Sequence, residues 1–192
     1  MLERRQLLFF GALGAMGLAR PLAAMAADAA AAPAPAAPIQ LPTNLPPGPS
    51  PADYQDDVRH LADLAVEAAR QRPNSLLNFT PDSLHIVDDM LAEAAAHTPP
   101  LSEERRREVV QAFGSYVLEV ARREFGGSYQ WAQTEDAPVL VVGDPDFQIS
   151  LMTWSHVAHR LTGDAAASVT PFYQGFADRT RAATPGDKAA FS

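Results

Sequence analysis

Apolar residues recur at helical intervals from Tyr54 onward. Tyr54, Val58, Leu61, Ala65 and Ala68 are spaced four, three, four and three apart, which predicts an amphipathic helix. Ser50-Pro51-Ala52-Asp53 supplies its start, with a capping hydroxyl, a proline at the first helical position and an acid in the first turn. Arg72-Pro73-Asn74 ends it before the short apolar piece Leu76-Leu77-Asn78-Phe79. Thr80-Pro81 repeats the start signal, and Leu84, Val87, Leu91 and Ala94 form a second stripe that stops before Thr98-Pro99-Pro100. Ser102-Glu103-Glu104 opens a third helix. Val109, Phe113, Tyr116, Val117 and Val120 keep one face apolar as far as Phe125, and Gly126-Gly127 provides a left-handed exit. At 1.5 Å per residue this helix is roughly 35 Å long, the spine of the domain.

The period then changes from helical to short runs. Residues 128–133, 138–142 and 147–150 are β-branched or aromatic, separated by Thr134-Glu135-Asp136 and Gly143-Asp144-Pro145-Asp146, a pattern that suits an antiparallel meander. Leu151, Trp154, Ala158 and Leu161 return to helical spacing with Gly163 as the stop, and Thr170-Pro171 opens a last helix carrying Phe172, Tyr173 and Phe176. The predicted fold is α+β, with three N-terminal helices, a small antiparallel sheet of about three strands and two C-terminal helices. No internal repeat interrupts this order. The single domain is placed at 51–181, with a structureless polar tail over 182–192.

What precedes residue 51 reads differently. Residues 28–50 are rich in alanine and proline, with Pro33, Pro35, Pro38, Pro42, Pro46, Pro47 and Pro49, a composition expected for a disordered, extended linker. Residues 1–27 follow a signal-peptide plan: Arg4 and Arg5 at the start, an apolar stretch from Leu7 to Leu18, then Ala24-Met25-Ala26, an Ala-x-Ala cleavage pattern. The apolar stretch, about twelve residues, falls short of the ~20 needed to span a bilayer, so no membrane span is expected after cleavage behind Ala26. The paired arginines resemble the twin-arginine export signal, although Glu3 stands where that signal has Ser or Thr and Leu7 where it has Phe. An ordinary secretory signal fits the same residues. Either route makes the protein exported, to the periplasm or beyond.

Charge and composition remove several functions. The chain holds 15 basic and 23 acidic residues, a net charge of −8, and beyond residue 27 the balance is 12 to 22. Such a surface repels phosphate backbones, and Arg105-Arg106-Arg107, flanked by Glu104 and Glu108, reads as a solvated helix face. A nucleic-acid partner is therefore not expected. There is no cysteine, so disulfides, thiolate metal sites and cysteine nucleophiles are excluded.

Few side chains remain as candidates for chemistry. His156 and His159 lie on adjacent turns of one helix, where two imidazoles and an acid from elsewhere could hold zinc or copper. The pair lacks the glutamate of a zinc-protease motif, and the balance favours solvent-facing polar residues, with no metal or other cofactor. Glu119 borders the apolar stripe beside Tyr116, where a carboxylate could work as acid or base. It could equally accept from the Gly126-Gly127 turn or pair with Arg123, and that structural role carries more weight. Asp144 and Asp146 fit a tight turn better than a calcium loop. Serine nucleophile elbows and glycine-rich phosphate loops are missing.

The run Gly114-Ser115-Tyr116-Val117-Leu118-Glu119-Val120, with Arg122-Arg123 and Gly126-Gly127-Ser128-Tyr129 after it, resembles a loosely defined group of uncharacterised bacterial α+β domains. In that group a helix of this kind leads through basic residues to Gly-Gly and an aromatic strand. Leu118 stands where the group more often has glycine, and Tyr129 where it more often has tryptophan. Val157, Arg160-Leu161-Thr162-Gly163 and Phe172-Tyr173 extend the likeness over residues 78–177. The resemblance implies a fold and carries no catalytic residue.

Two function classes follow. One is a non-enzymatic envelope module that docks a protein or a cell-wall component by an aromatic sheet edge around Tyr129, Trp131 and Phe147. The other is a small periplasmic hydrolase or metal-dependent enzyme using Glu119 with His156 or His159. The two separate on geometry: the enzyme requires Glu119 and the histidines to converge on one pocket.

Overall fold

The computed structural model describes residues 51–73, 75–97 and 100–192, so the signal-like segment, the Pro/Ala-rich stretch and Arg4, Arg5, Ala24 and Ala26 lie outside the described residues. Within them the chain is α+β, with five helices and a small mixed sheet of four strands. The order is α1 (Pro51–Arg70), α2 (Leu84–Ala96), α3 (Glu103–Phe125), β1 (Ser128–Ala132), β2 (Ala137–Val142), β3 (Gln148–Leu151), α4 (Trp154–Arg160), α5 (Val169–Arg181) and β4 (Lys188–Phe191). No helix among the described residues is long and apolar enough to cross a membrane.

Helix α3 is the centre of the domain. Its start is capped by Ser102, whose hydroxyl accepts from the Arg105 N–H at 3.2 Å, and Glu103 and Glu104 complement the helix dipole in the first turn. From Ala112 to Ala121 every residue is buried, so this stretch is covered on all sides and its sequence shows no polar face. Helix α1 packs along it. The stripe α1 buries is Val58, Ala62, Ala65 and Ala69: Val58 and Ala65 are as predicted, and Ala62 and Ala69 take the places expected for Leu61 and Ala68. Alanines let the two helix backbones approach closely, and this displaces Leu61 to the margin and leaves Leu64 48% exposed.

The sheet runs in the order β1-β2-β3-β4. Strands β1 and β2 pair antiparallel with Tyr129 opposite Leu140, and β2 and β3 antiparallel with Val141 opposite Ser150. All six residues of β2 are buried, since it lies inside the sheet with α3 on one face. Gly127 is required where the chain turns from α3 into β1. Its φ is +99°, and a Cβ there would stand 2.4 Å from the Val141 carbonyl oxygen.

Three expectations need correction. The sheet is mixed, because β4 adds parallel to β3 with Ile149 opposite Ala189. The tail expected to be structureless supplies that strand. Gly186 donates to the Asp146 carbonyl at 2.7 Å, Met152 donates to Phe191 at 2.8 Å, and the Phe191 ring meets Phe176 edge-on at 5.9 Å. Polar composition concealed a strand that forms only where β3 offers an unpaired edge. Leu151 is the last residue of β3, and α4 starts three residues later at Trp154.

An unpredicted link ties α2 to α5. Asp88 accepts from the backbone N–H groups of Val169 (2.7 Å) and Thr170 (3.0 Å) and from the hydroxyls of Ser168 (2.8 Å) and Thr170 (2.7 Å). It caps α5 from another helix, so no local pattern announces it. Burial pushes the Asp88 carboxyl up, but these hydrogen bonds together hold it below its ordinary value.

Candidate functional site

Glu119 sits on the fully buried part of α3 with no exposed surface. Its carboxylate accepts from Arg122 Nε at 2.8 Å and Nη2 at 3.3 Å and from the Tyr129 hydroxyl at 2.9 Å, and Arg123 Nε lies 3.5 Å away. Burial pushes the carboxyl up, yet the bonds from Arg122 and Tyr129 and the two guanidinium charges outweigh it and hold the group below the ordinary range. A carboxylate so held stays ionised and fully engaged, which is the opposite of an acid or base poised near neutrality. Tyr129 pays for the same environment with a raised hydroxyl, through burial first and then the Glu119 charge. The Arg123 guanidinium also lies 3.5 Å over the Phe79 ring. Phe79 takes a left-handed φ of +59°, and its N–H donates to the Tyr116 hydroxyl at 2.8 Å.

The histidines are elsewhere. His156 is half-buried against α5, its ring stacked on Phe172 at 3.9 Å and its Nε2 donating to the Ser168 carbonyl at 3.2 Å. His159 is exposed. The expectation that both face solvent therefore holds for His159 alone, because α5 covers the His156 side of the short α4. No group of three or more His, Asp or Glu among the described residues is placed to hold a metal ion. Asp144 and Asp146 serve the turn into β3, where Gln148 donates to Asp144 at 3.1 Å.

The three aromatics expected on a sheet edge separate. Tyr129 is 1% exposed and points at Glu119. Phe147, half-buried, lies across Gly143 in the turn before β3, away from the β1 edge; a Cβ on Gly143 would stand 2.1 Å from its ring. Trp131 alone joins a different cluster. It stacks on Tyr54 of α1 (centroids 5.7 Å apart, planes 24° apart) and meets Trp154 of α4 edge-on (6.2 Å, 87°).

These rings line a cleft of about 290 Å³, with Asp57, Val58, His60 and Leu61 of α1, Gln111 of α3 and Pro138 of β2. The sequence builds it deliberately around Trp154. A Cβ on Gly114 would stand 2.5 Å from Trp154 Cδ1, so the buried glycine in α3 is the seat for the indole. The Thr153 hydroxyl donates to the Gly114 carbonyl at 2.7 Å, and Trp154 Nε1 donates to Ser115 at 3.4 Å. Trp131 Nε1 donates to Asp136 at 3.2 Å. Tyr54 and Trp154 read in the sequence as core positions of two helices. The signal available was that the chain has two tryptophans, Trp131 and Trp154, and both are in this cleft.

Compared with protein-family models, with curated proteins and with solved structures, the chain matches none of them. The class its geometry defines is a small α+β domain with an aromatic-walled cleft between α1, α3, the sheet and α4.

Proposed function

We propose that the protein is an exported, non-enzymatic binding module of the cell envelope, and that the Tyr54–Trp131–Trp154 cleft is where it holds its ligand. The observation that carries this reading is the convergence of both tryptophans and Tyr54, from three separate elements, on one concave surface. The enzyme reading required Glu119 and the histidines to meet. Instead Glu119 is enclosed by Arg122, Arg123 and Tyr129, and His156 is held by Ser168 and Phe172. Export rests on the residues before 27, and display away from the membrane on the Pro/Ala-rich stretch after them. The partner is an envelope protein or cell-wall component that presents a group small enough for the cleft.

Titration of the mature protein with soluble envelope extract, protein and cell-wall fractions included and each corrected for its own emission, tests this. A saturable change in tryptophan emission is expected, lost in Tyr54→Leu, which removes the ring but keeps apolar bulk against the core. An extract that leaves the emission unchanged at every concentration would remove the cleft as the binding site.

A further inference from the structure

We propose that the cleft takes a compact organic cation, a quaternary or protonated ammonium group. This rests on the reading of the cleft as the binding site and names the chemistry it selects. Among the nine lining residues there is an acid, Asp57, and neither lysine nor arginine. Asp57 has no ion-pair partner among the described residues, whereas its neighbour Asp56 is engaged by Arg59 at 2.5 Å. Asp57 lies one turn from Tyr54 on α1, on the same side of the helix, so its carboxylate and the ring border one space.

The walls complement that charge. Both indole N–H groups are committed to the protein, Trp131 to Asp136 and Trp154 to Ser115. What the tryptophans contribute to the cleft is therefore ring surface and not hydrogen-bond donors. Aromatic faces carry negative quadrupole density and attract a cation, most strongly where water is displaced. The Trp131 and Trp154 planes stand 87° apart, forming a corner that suits a compact charge better than a flat ring. The excess of 22 acidic over 12 basic residues beyond residue 27 adds a long-range preference for cations over anions. At about 290 Å³ the space matches a small head group and is at the lower end of ligand pockets.

The experiment is a titration of the mature protein with choline chloride at constant ionic strength, read by tryptophan emission, which reports this cleft alone because the chain has two tryptophans and both line it. The control ligand is 3,3-dimethyl-1-butanol, the neutral molecule of the same shape. Choline is expected to give a saturable change, and the alcohol to bind roughly tenfold more weakly. Asp57→Asn, at an exposed position, is expected to weaken choline severalfold with an unaltered melt. Equal affinity for choline and the alcohol, or full choline affinity in Asp57→Asn, would overturn the cation assignment and leave the cleft as a binding site. A response to envelope extract without one to choline would do the same. Silence toward both would overturn the assignment together with the reading beneath it.

Discussion

Replacing Glu119 by leucine removes the acceptor at the centre of the α3–β1 junction, and the structure sets the size of the effect. The Tyr129 hydroxyl, in a residue 1% exposed, loses its partner and cannot reach water, at a cost of about 1–3 kcal/mol. Arg122 and Arg123 also lose their anion, but their side chains are 25% and 43% exposed, so rehydration limits that loss to about 1 kcal/mol. Leucine's extra apolar surface offsets about 1 kcal/mol. The expected net destabilisation is about 2 kcal/mol, or roughly 6–10 °C in Tm for a domain of this size. Glu119→Gln keeps the shape and one acceptor for Tyr129, so its loss is about 1 kcal/mol. Calorimetric melts of parent and both variants provide the comparison. The pH dependence supplies a second reading. Because the folded-state carboxyl lies below its ordinary value of 4.5, its contribution is complete above that value and fades as pH falls through the lower folded-state value. The parent should lose stability on acidification more steeply than Glu119→Gln. A leucine variant as stable as the parent would refute the reasoning, since the carboxylate would then contribute nothing to the fold.

Asp88→Ala removes the cap of α5 and four hydrogen bonds together, and should lower stability by about 2–3 kcal/mol in urea denaturation, against about 1 for Asp88→Asn; equal effects would mean the carboxylate charge and its geometry are irrelevant there. Gly114→Ala should destabilise despite alanine's helix propensity, and shift tryptophan emission, because the new Cβ displaces the Trp154 indole; a stabilised variant with parental emission would contradict the seat. N-terminal sequencing of the exported protein should begin at Ala27 or within a few residues of it, and recovery of intact Met1 in the membrane fraction would show an uncleaved anchor instead.

Periodicity along the chain was enough to determine the α+β class, the long α3, the glycine exit at Gly126-Gly127 and the first three strand segments, because each depends on neighbours within a few residues. Helix capping by Ser102 and the excluded thiol chemistry belong to the same local kind. Tertiary structure decided the rest. Strand β4 has an unremarkable Lys-Ala-Ala-Phe sequence and exists because β3 has a free edge beside it. Asp88 caps a helix some eighty residues away. The aromatic site moved for the same reason: alternation along β1 puts Tyr129 and Trp131 on one face but cannot say which element covers each end of it. The structure puts Tyr129 against Glu119 in the interior, and brings Tyr54, Trp131 and Trp154 from three elements to one cleft. Local sequence sets which way a side chain points within its element, and only the packing of elements sets what it meets.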